Sequence, residues 1–122
     1  TTEVLDFETM TFSRGPTMRV ARYGCAAVPL GGGDSGGRCL VVGGYDEDNK
    51  KVNSTEVLDL ETMEFTEGPA MLAERAGCAA VADDAGDRRV FVLGGSRGVD
   101  IEVLEAAAAL RRNYPSDAAA SI

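Results

Sequence analysis

The stretch Gly33-Asp34-Ser35-Gly36-Gly37 is the kind of glycine-rich loop that exposes a nucleophilic serine. That chemistry needs an imidazole to take the serine proton, and the chain contains no histidine. The same absence removes Cys-His catalysis and every His-containing metal site. Gly31 to Gly36 also satisfies the spacing G-x-G-x-x-G. Such a loop holds a phosphate when a helix follows and offers its first amides to the anion. Here the hydrophobic run Arg38 to Val42 follows instead, and it reads as a strand. Both matches are therefore read as the composition of a hairpin loop.

Two acidic clusters could attract a cation. Asp46-Glu47-Asp48-Asn49 lacks the spacing, turn glycine and closing bidentate Glu of a calcium loop. Asp83-Asp84 with Asp87 forms a second cluster, and both read as solvated loops. Cys25, Cys39 and Cys78 are too few and too widely spaced for a disulfide framework, and no C-x-x-C offers zinc a site. They read as reduced, packed thiols, with no charged neighbour in sequence beside Cys25 or Cys78 to activate a thiolate. Neither a cofactor nor a metal is expected.

The elements that carry these residues must be built from little apolar material. Of 122 residues, Leu, Ile, Val and Phe make 27, while Ala and Gly supply 17 and 15. A thin core of small residues follows. Twenty acidic residues against 12 basic ones give a formal charge of -8, which argues against a nucleic-acid or anionic-membrane surface. Apolar runs such as Val90 to Leu93 are strand-sized, far short of the roughly 18 residues of a membrane span. No signal peptide is visible, so a soluble, intracellular chain is expected. Because it begins with Thr1, a processed product, a piece of a longer chain and an organellar form that has lost its targeting segment all stay open.

The organisation comes from repetition. Residues 2–28 align with residues 55–81 at an offset of 53, with 18 of 27 positions identical. Arg38 to Gly44 matches Arg89 to Gly95 at an offset of 51, and Glu56-Val57-Leu58 is echoed by Glu102-Val103-Leu104. Each unit reads as four short strands separated by turn chemistry. In the complete copy these are Gly24 to Pro29, Arg38 to Val42, Ser54 to Leu60 and Met63 to Thr66. The hairpin loop Leu30 to Gly37, the acidic loop Tyr45 to Asn53 and the turn Glu61-Thr62 separate them. Prolines fall at strand ends, where a missing N–H costs least. No helical pattern separates the strands, so an all-β, antiparallel fold is expected.

A strand ending in Gly43-Gly44 or Gly94-Gly95, then Glu-Val-Leu, an Asp-x-Glu-Thr-Met turn, an aromatic and an Arg is similar to the kelch motif. Phe12 and Phe65 stand where that family usually has Trp, and Arg22 and Arg75 are the Arg positions. The resemblance covers roughly residues 2–105 and implies four-stranded antiparallel blades of a β-propeller. The phenylalanines would fill gaps between blades. Arg22 and Arg75 would make buried structural pairs with carboxylates, the candidates being Glu3, Glu56 and Glu102. The units are a partial blade 1–16, a full blade 17–69 and a partial blade 70–105, followed by an Ala-rich tail 106–122. A kelch ring closes with about six blades of roughly 50 residues, and this chain holds about 2.3 periods. It therefore reads as a partial propeller or open arc: part of a larger ring, one protomer of a homo-oligomer that completes it, or an arc covered by a partner. Val103 to Leu110 has helical composition ended by Pro115, and the last blade is expected to lack its fourth strand.

The resemblance implies a non-catalytic protein–protein interaction or scaffold module that binds through loops at one end of the ring. The candidate loops follow the diglycines: Tyr45 to Asn53, with Tyr45, Asp46, Glu47, Asp48 and Asn49, and Ser96 to Asp100, with Ser96 and Arg97. Acidic loops would favour basic partner surfaces. The alternatives are an accessory structural subunit whose arc neighbouring proteins complete and, last, a propeller enzyme.

Overall fold

The strands are short, three to five residues each. A computed structural model describes residues 1–31, 37–83, 89–96, 101–105 and 119–121. They form three antiparallel sheets in chain order. The first pairs β1 (Glu3–Asp6) with β2 (Thr11–Arg14). The second runs β3 (Ala26–Leu30), β4 (Arg38–Val42), β5 (Thr55–Asp59) and β6 (Glu64–Glu67), each strand beside its sequence neighbour. The third repeats that order with β7 (Ala79–Asp83), β8 (Arg89–Leu93), β9 (Ile101–Glu105) and β10 (Ala119–Ser121). The sheets are partial and complete four-stranded antiparallel blades, and none of the described residues is helical.

The two four-stranded sheets share one core. Val28, Leu30, Leu40, Val42 and Val57 of the second meet Val90, Val92 and Leu104 of the third, with Met71 between the sheets in sequence. The first strands of the two sheets, β3 and β7, lie in contact. Small side chains make that approach feasible: Ala26, Cys78, Ala80 and Ala82 pack against the cluster. Strand boundaries follow local chemistry. Gly24 turns at a φ of 66°, so β3 starts only at Ala26. The Asp59 carboxylate accepts from the amides of Glu61 (2.9 Å) and Thr62 (3.2 Å), which ends β5. The same turn recurs at Asp6, with Glu8 and Thr9 as donors.

A second repeated device fixes where the third strand starts and the fourth stops. The hydroxyl of Thr55 donates to the Pro69 carbonyl (2.6 Å), and the Gly68 amide donates to the Thr55 carbonyl (3.0 Å). Thr2, Pro16 and Gly15 repeat it at 2.7 and 2.8 Å. A Cβ at Gly15 or Gly68 would collide with the threonine hydroxyl, which is why Gly-Pro recurs there.

Three expectations need correction. Val103 to Glu105 are the end of β9 rather than the start of a helix, because Val103 and Leu104 are buried, Leu104 in the core shared with the neighbouring sheet, and pairing outweighs alanine-rich local propensity. Residues 106–110 lie outside the described residues. The last blade does not lack a fourth strand: Ala119–Ser121 pairs antiparallel with β9, Ala120 opposite Val103. Finally, Phe12 does not fill a gap between blades, since it is 66 % exposed, whereas Phe65 is half-buried opposite Leu58.

The turns contain a strained residue. Met10 and Met63 hold φ values of 53° and 58°, a region that costs an L-residue about 1–2 kcal/mol. Met63→Gly is therefore expected to stabilise the chain by about 0.5–1 kcal/mol, read as a raised urea midpoint with an unchanged slope. A lowered midpoint would mean that the Met63 side chain contributes more than its backbone costs.

Candidate functional site

The loops that follow the diglycines are positioned from beneath by two buried ion pairs. Arg22 Nη2 lies 2.8 Å from Glu56 Oε2, both side chains withdrawn from solvent. Arg75 Nε lies 2.6 Å from Glu102 Oε2. Each carboxylate also accepts from two main-chain amides of the segment leading into the blade. Glu56 accepts from Arg19 (2.6 Å) and Val20 (3.2 Å), and Glu102 from Leu72 and from Ala73 (3.2 Å). Each guanidinium then donates to the first glycine of its blade's pair: Arg22 to the Gly43 carbonyl (2.9 Å) and Arg75 to that of Gly94 (2.8 Å). Arg22 additionally donates to the Ser54 carbonyl and hydroxyl at 3.0 and 3.2 Å. Desolvating two charges costs several kcal/mol, and a buried pair persists when further hydrogen bonds satisfy both groups. Here they do. Glu3, the third candidate partner, is exposed at the start of β1.

The diglycines are needed for a geometric reason. Gly43 and Gly44 have φ of 63° and 101°, and a Cβ on Gly43 would collide with the carbonyl of Arg75. That contact is where one blade touches the next: the Gly44 amide donates to the Arg75 carbonyl at 2.7 Å.

On this base the loop Tyr45 to Asn53 is fully organised. Asp46 closes it, accepting through its carboxylate from Asp48 (2.9 Å) and Lys50 (3.0 Å). The Asp46 main chain also bonds Lys50 and Asn49, and Asn49 sits at a φ of 58°. Tyr45 exchanges both main-chain hydrogen bonds with Tyr23, at 2.7 and 3.0 Å, and the rings stack with centroids 5.0 Å apart. The Tyr23 hydroxyl donates to Asn49 Oδ1. Lys51 Nζ donates to the Gly95 carbonyl (3.2 Å), which holds this loop beside the start of the next diglycine loop.

Glu47, Asp48, Asn49 and Lys50 are consequently exposed on a preformed turn, with the Tyr23–Tyr45 stack beside them. Ser96 is half-buried directly after Gly95. Arg97 lies outside the described residues, as do the five-residue stretch 32–36 with its serine, and Asp84 and Asp87. No group of three His, Cys, Asp or Glu side chains among the described residues could hold a metal ion. Burial raises the Cys39 and Cys78 thiols above their ordinary value, which disfavours thiolate. Tyr23, Ser54 and Lys51 escaped the sequence reading. Tyr23 aligns with Ala76, so the repeat does not mark it. Its only signal is the departure from its repeat partner.

The arrangement is a rigid polar turn with an aromatic flank, the type of surface that binds another protein at low ordering cost. The ion pairs beneath it are the sensitive point. Glu56→Gln leaves the Arg22 charge without its carboxylate and is expected to cost about 3–5 kcal/mol in urea unfolding, whereas exposed Lys50→Gln should change stability by less than about 0.5 kcal/mol. Equal effects would show that the pair is not a structural determinant.

A family model described as the kelch motif matches residues 35–72. The match spans the diglycine Gly43-Gly44, the buried carboxylate Glu56 and the Asp59 turn, so the family pattern falls on the groups that build this site. No curated protein matches the chain.

Proposed function

We propose that this chain of kelch repeats acts as a non-catalytic protein–protein interaction module whose diglycine loops, Tyr45 to Asn53 and Ser96 to Asp100, form the binding end. The kelch-motif match over residues 35–72 supports the reading of an interaction repeat. The observation that carries the reading is the preformed loop. Asp46, Tyr23 and Lys51 spend their polar groups on ordering it, and the residues left exposed are Glu47, Asp48, Asn49 and Lys50. Ordering a loop beforehand removes a cost that binding would otherwise bear, about 0.5–1.5 kcal/mol for each mobile side chain. With a formal charge of -8 on the chain, the favoured partner surface is basic.

A second reading is an accessory subunit of a larger assembly, favoured by the exposed side chains of the first sheet. Phe7 is 80 % exposed and Met10 69 % exposed, in the turn that joins two strands carrying none of the core cluster. No helix among the described residues is long and apolar enough to cross a membrane.

The two readings place the partner on different faces, which a paired substitution separates. Glu47→Gln with Asp48→Asn removes two loop charges without touching the Asp46 turn. Affinity for a basic partner protein should fall by at least about tenfold at 0.1 M salt, where the screening length is about 10 Å. Raising salt to 1 M should weaken the unsubstituted chain towards the variant. If the variant binds the same partners equally well, the loops are not the binding end.

A further inference from the structure

The turn Asp-x-Glu-Thr-Met occurs twice, as Asp6 to Met10 and Asp59 to Met63, and each copy holds its methionine at a left-handed φ. Glycine and asparagine take up that conformation at lower cost, because a larger side chain sets its Cβ against the following carbonyl. The turn itself does not ask for methionine. Main-chain groups close it: the Met63 amide donates to the Asp59 carbonyl (2.7 Å), and the Asp59 carboxylate holds the amides of Glu61 and Thr62. The core does not ask for methionine either, since Met63 is 39 % exposed and Met10 more so. A backbone cost borne twice for an exposed side chain points to a use for that side chain outside the chain.

Three residues before each methionine stands a second exposed apolar side chain, Phe7 in one turn and Leu60, 49 % exposed, in the other. The turn at residues 59–63 joins β5 and β6 of the complete second sheet, so its exposure belongs to an intact hairpin tip. Register fixes its place. Asp59 lies opposite Arg38 and Thr55 opposite Val42, which puts the tip and the diglycine loop at opposite ends of the sheet, about 14 Å apart along β5. The tip is acidic as well as apolar. Glu8, Glu61 and Glu64 are exposed there. Arg38 and Arg89, at the same end of the two four-stranded sheets, are already engaged by Asp59 (3.3 Å) and Asp83 (3.1 Å).

We propose that these hairpin tips are a second docking surface, and that its occupant is a basic amphipathic helix of a partner protein. Phe7 with Met10, and Leu60 with Met63, take the apolar stripe of the helix, while Glu8, Glu61 and Glu64 face its lysines and arginines. A tip whose turn amides are spent within the turn offers a partner side chains rather than a strand edge, which suits a helix and not an added strand. Methionine is the fitting residue for that task, because its unbranched thioether adapts to an apolar shape as asparagine or glycine cannot. The carboxylates select a positive partner and repel an anionic lipid surface. The assignment goes beyond the diglycine-loop reading and does not depend on it, since the two surfaces lie at opposite ends of the sheet.

The probe is a synthetic helix of about 18 residues with leucines along one face and lysines on the other, titrated against the chain at about 0.1 M salt. Met10→Asn with Met63→Asn should weaken its binding by at least about tenfold. The same variant should keep or raise the urea midpoint, because asparagine tolerates the left-handed turn. A control peptide of the same composition, with its leucines spread round the helix, should bind the unsubstituted chain at least about tenfold more weakly. Glu47→Gln with Asp48→Asn, at the far end, should bind the probe within about twofold of the unsubstituted chain. Equal binding by the asparagine variant would overturn the assignment, and equal binding of the control peptide would reduce it to charge alone and overturn it too. A lowered urea midpoint would show that the methionines serve stability, and a tenfold loss in the loop variant would place the helix on the diglycine loops; either result contradicts the proposal.

Discussion

The structure depends on the two-sided anchoring of Arg75. Its main chain belongs to the second sheet's neighbourhood, held by Gly44 and Val52, while its side chain reaches the third sheet and ends on Glu102 and the Gly94 carbonyl. A single residue thus ties two sheets that share no main-chain ladder. Hydrophobic burial supplies more of the driving force, at about 1.5–3 kcal/mol for each of the large core side chains. That force is non-directional, and small residues on β3 and β7 would permit several offsets between the sheets. The guanidinium, with fixed donor directions, selects one of them.

That selection is what the loops require. Gly44 touches Arg75, and Lys51 reaches Gly95, so the two diglycine loops are placed relative to each other by contacts at the foot of each loop. The Asp46 turn and the Tyr23–Tyr45 stack then set the shape of the first loop independently of its exposed residues. Glu47, Asp48 and Lys50 can therefore vary in chemistry without altering the support, the arrangement expected of a repeat whose scaffold is shared and whose contact surface is specific.

Much of this was legible because the chain states it twice. The limits of β4 were readable at Arg38 and Val42, since a hydrophobic run there is bounded by glycine on both sides. The need for a carboxylate opposite Arg22 and Arg75 was also readable, but three glutamates were candidates. Only the fold shows that Glu56 and Glu102 face the lead-in of their own blade while Glu3 is exposed. The tail was misjudged where local preference and pairing compete: an alanine run favours helix, yet Val103 and Leu104 gain more by burial in β9. Tyr23 was missed because it departs from its repeat partner, and the exposure of Phe12 because sequence does not show which sheet has a neighbour.

The most direct measurement is hydrogen exchange of Arg75→Met compared with the unsubstituted chain, resolved by strand. Methionine keeps much of the buried volume and removes the guanidinium. The account predicts that β3–β5 and β7–β9 amides open together in the unsubstituted chain. In the variant the third sheet should open separately and at least about tenfold faster, with the second sheet less affected. Exchange in the variant that remains concerted and equally slow across both sheets would contradict it, because the core alone would then hold the blades in register.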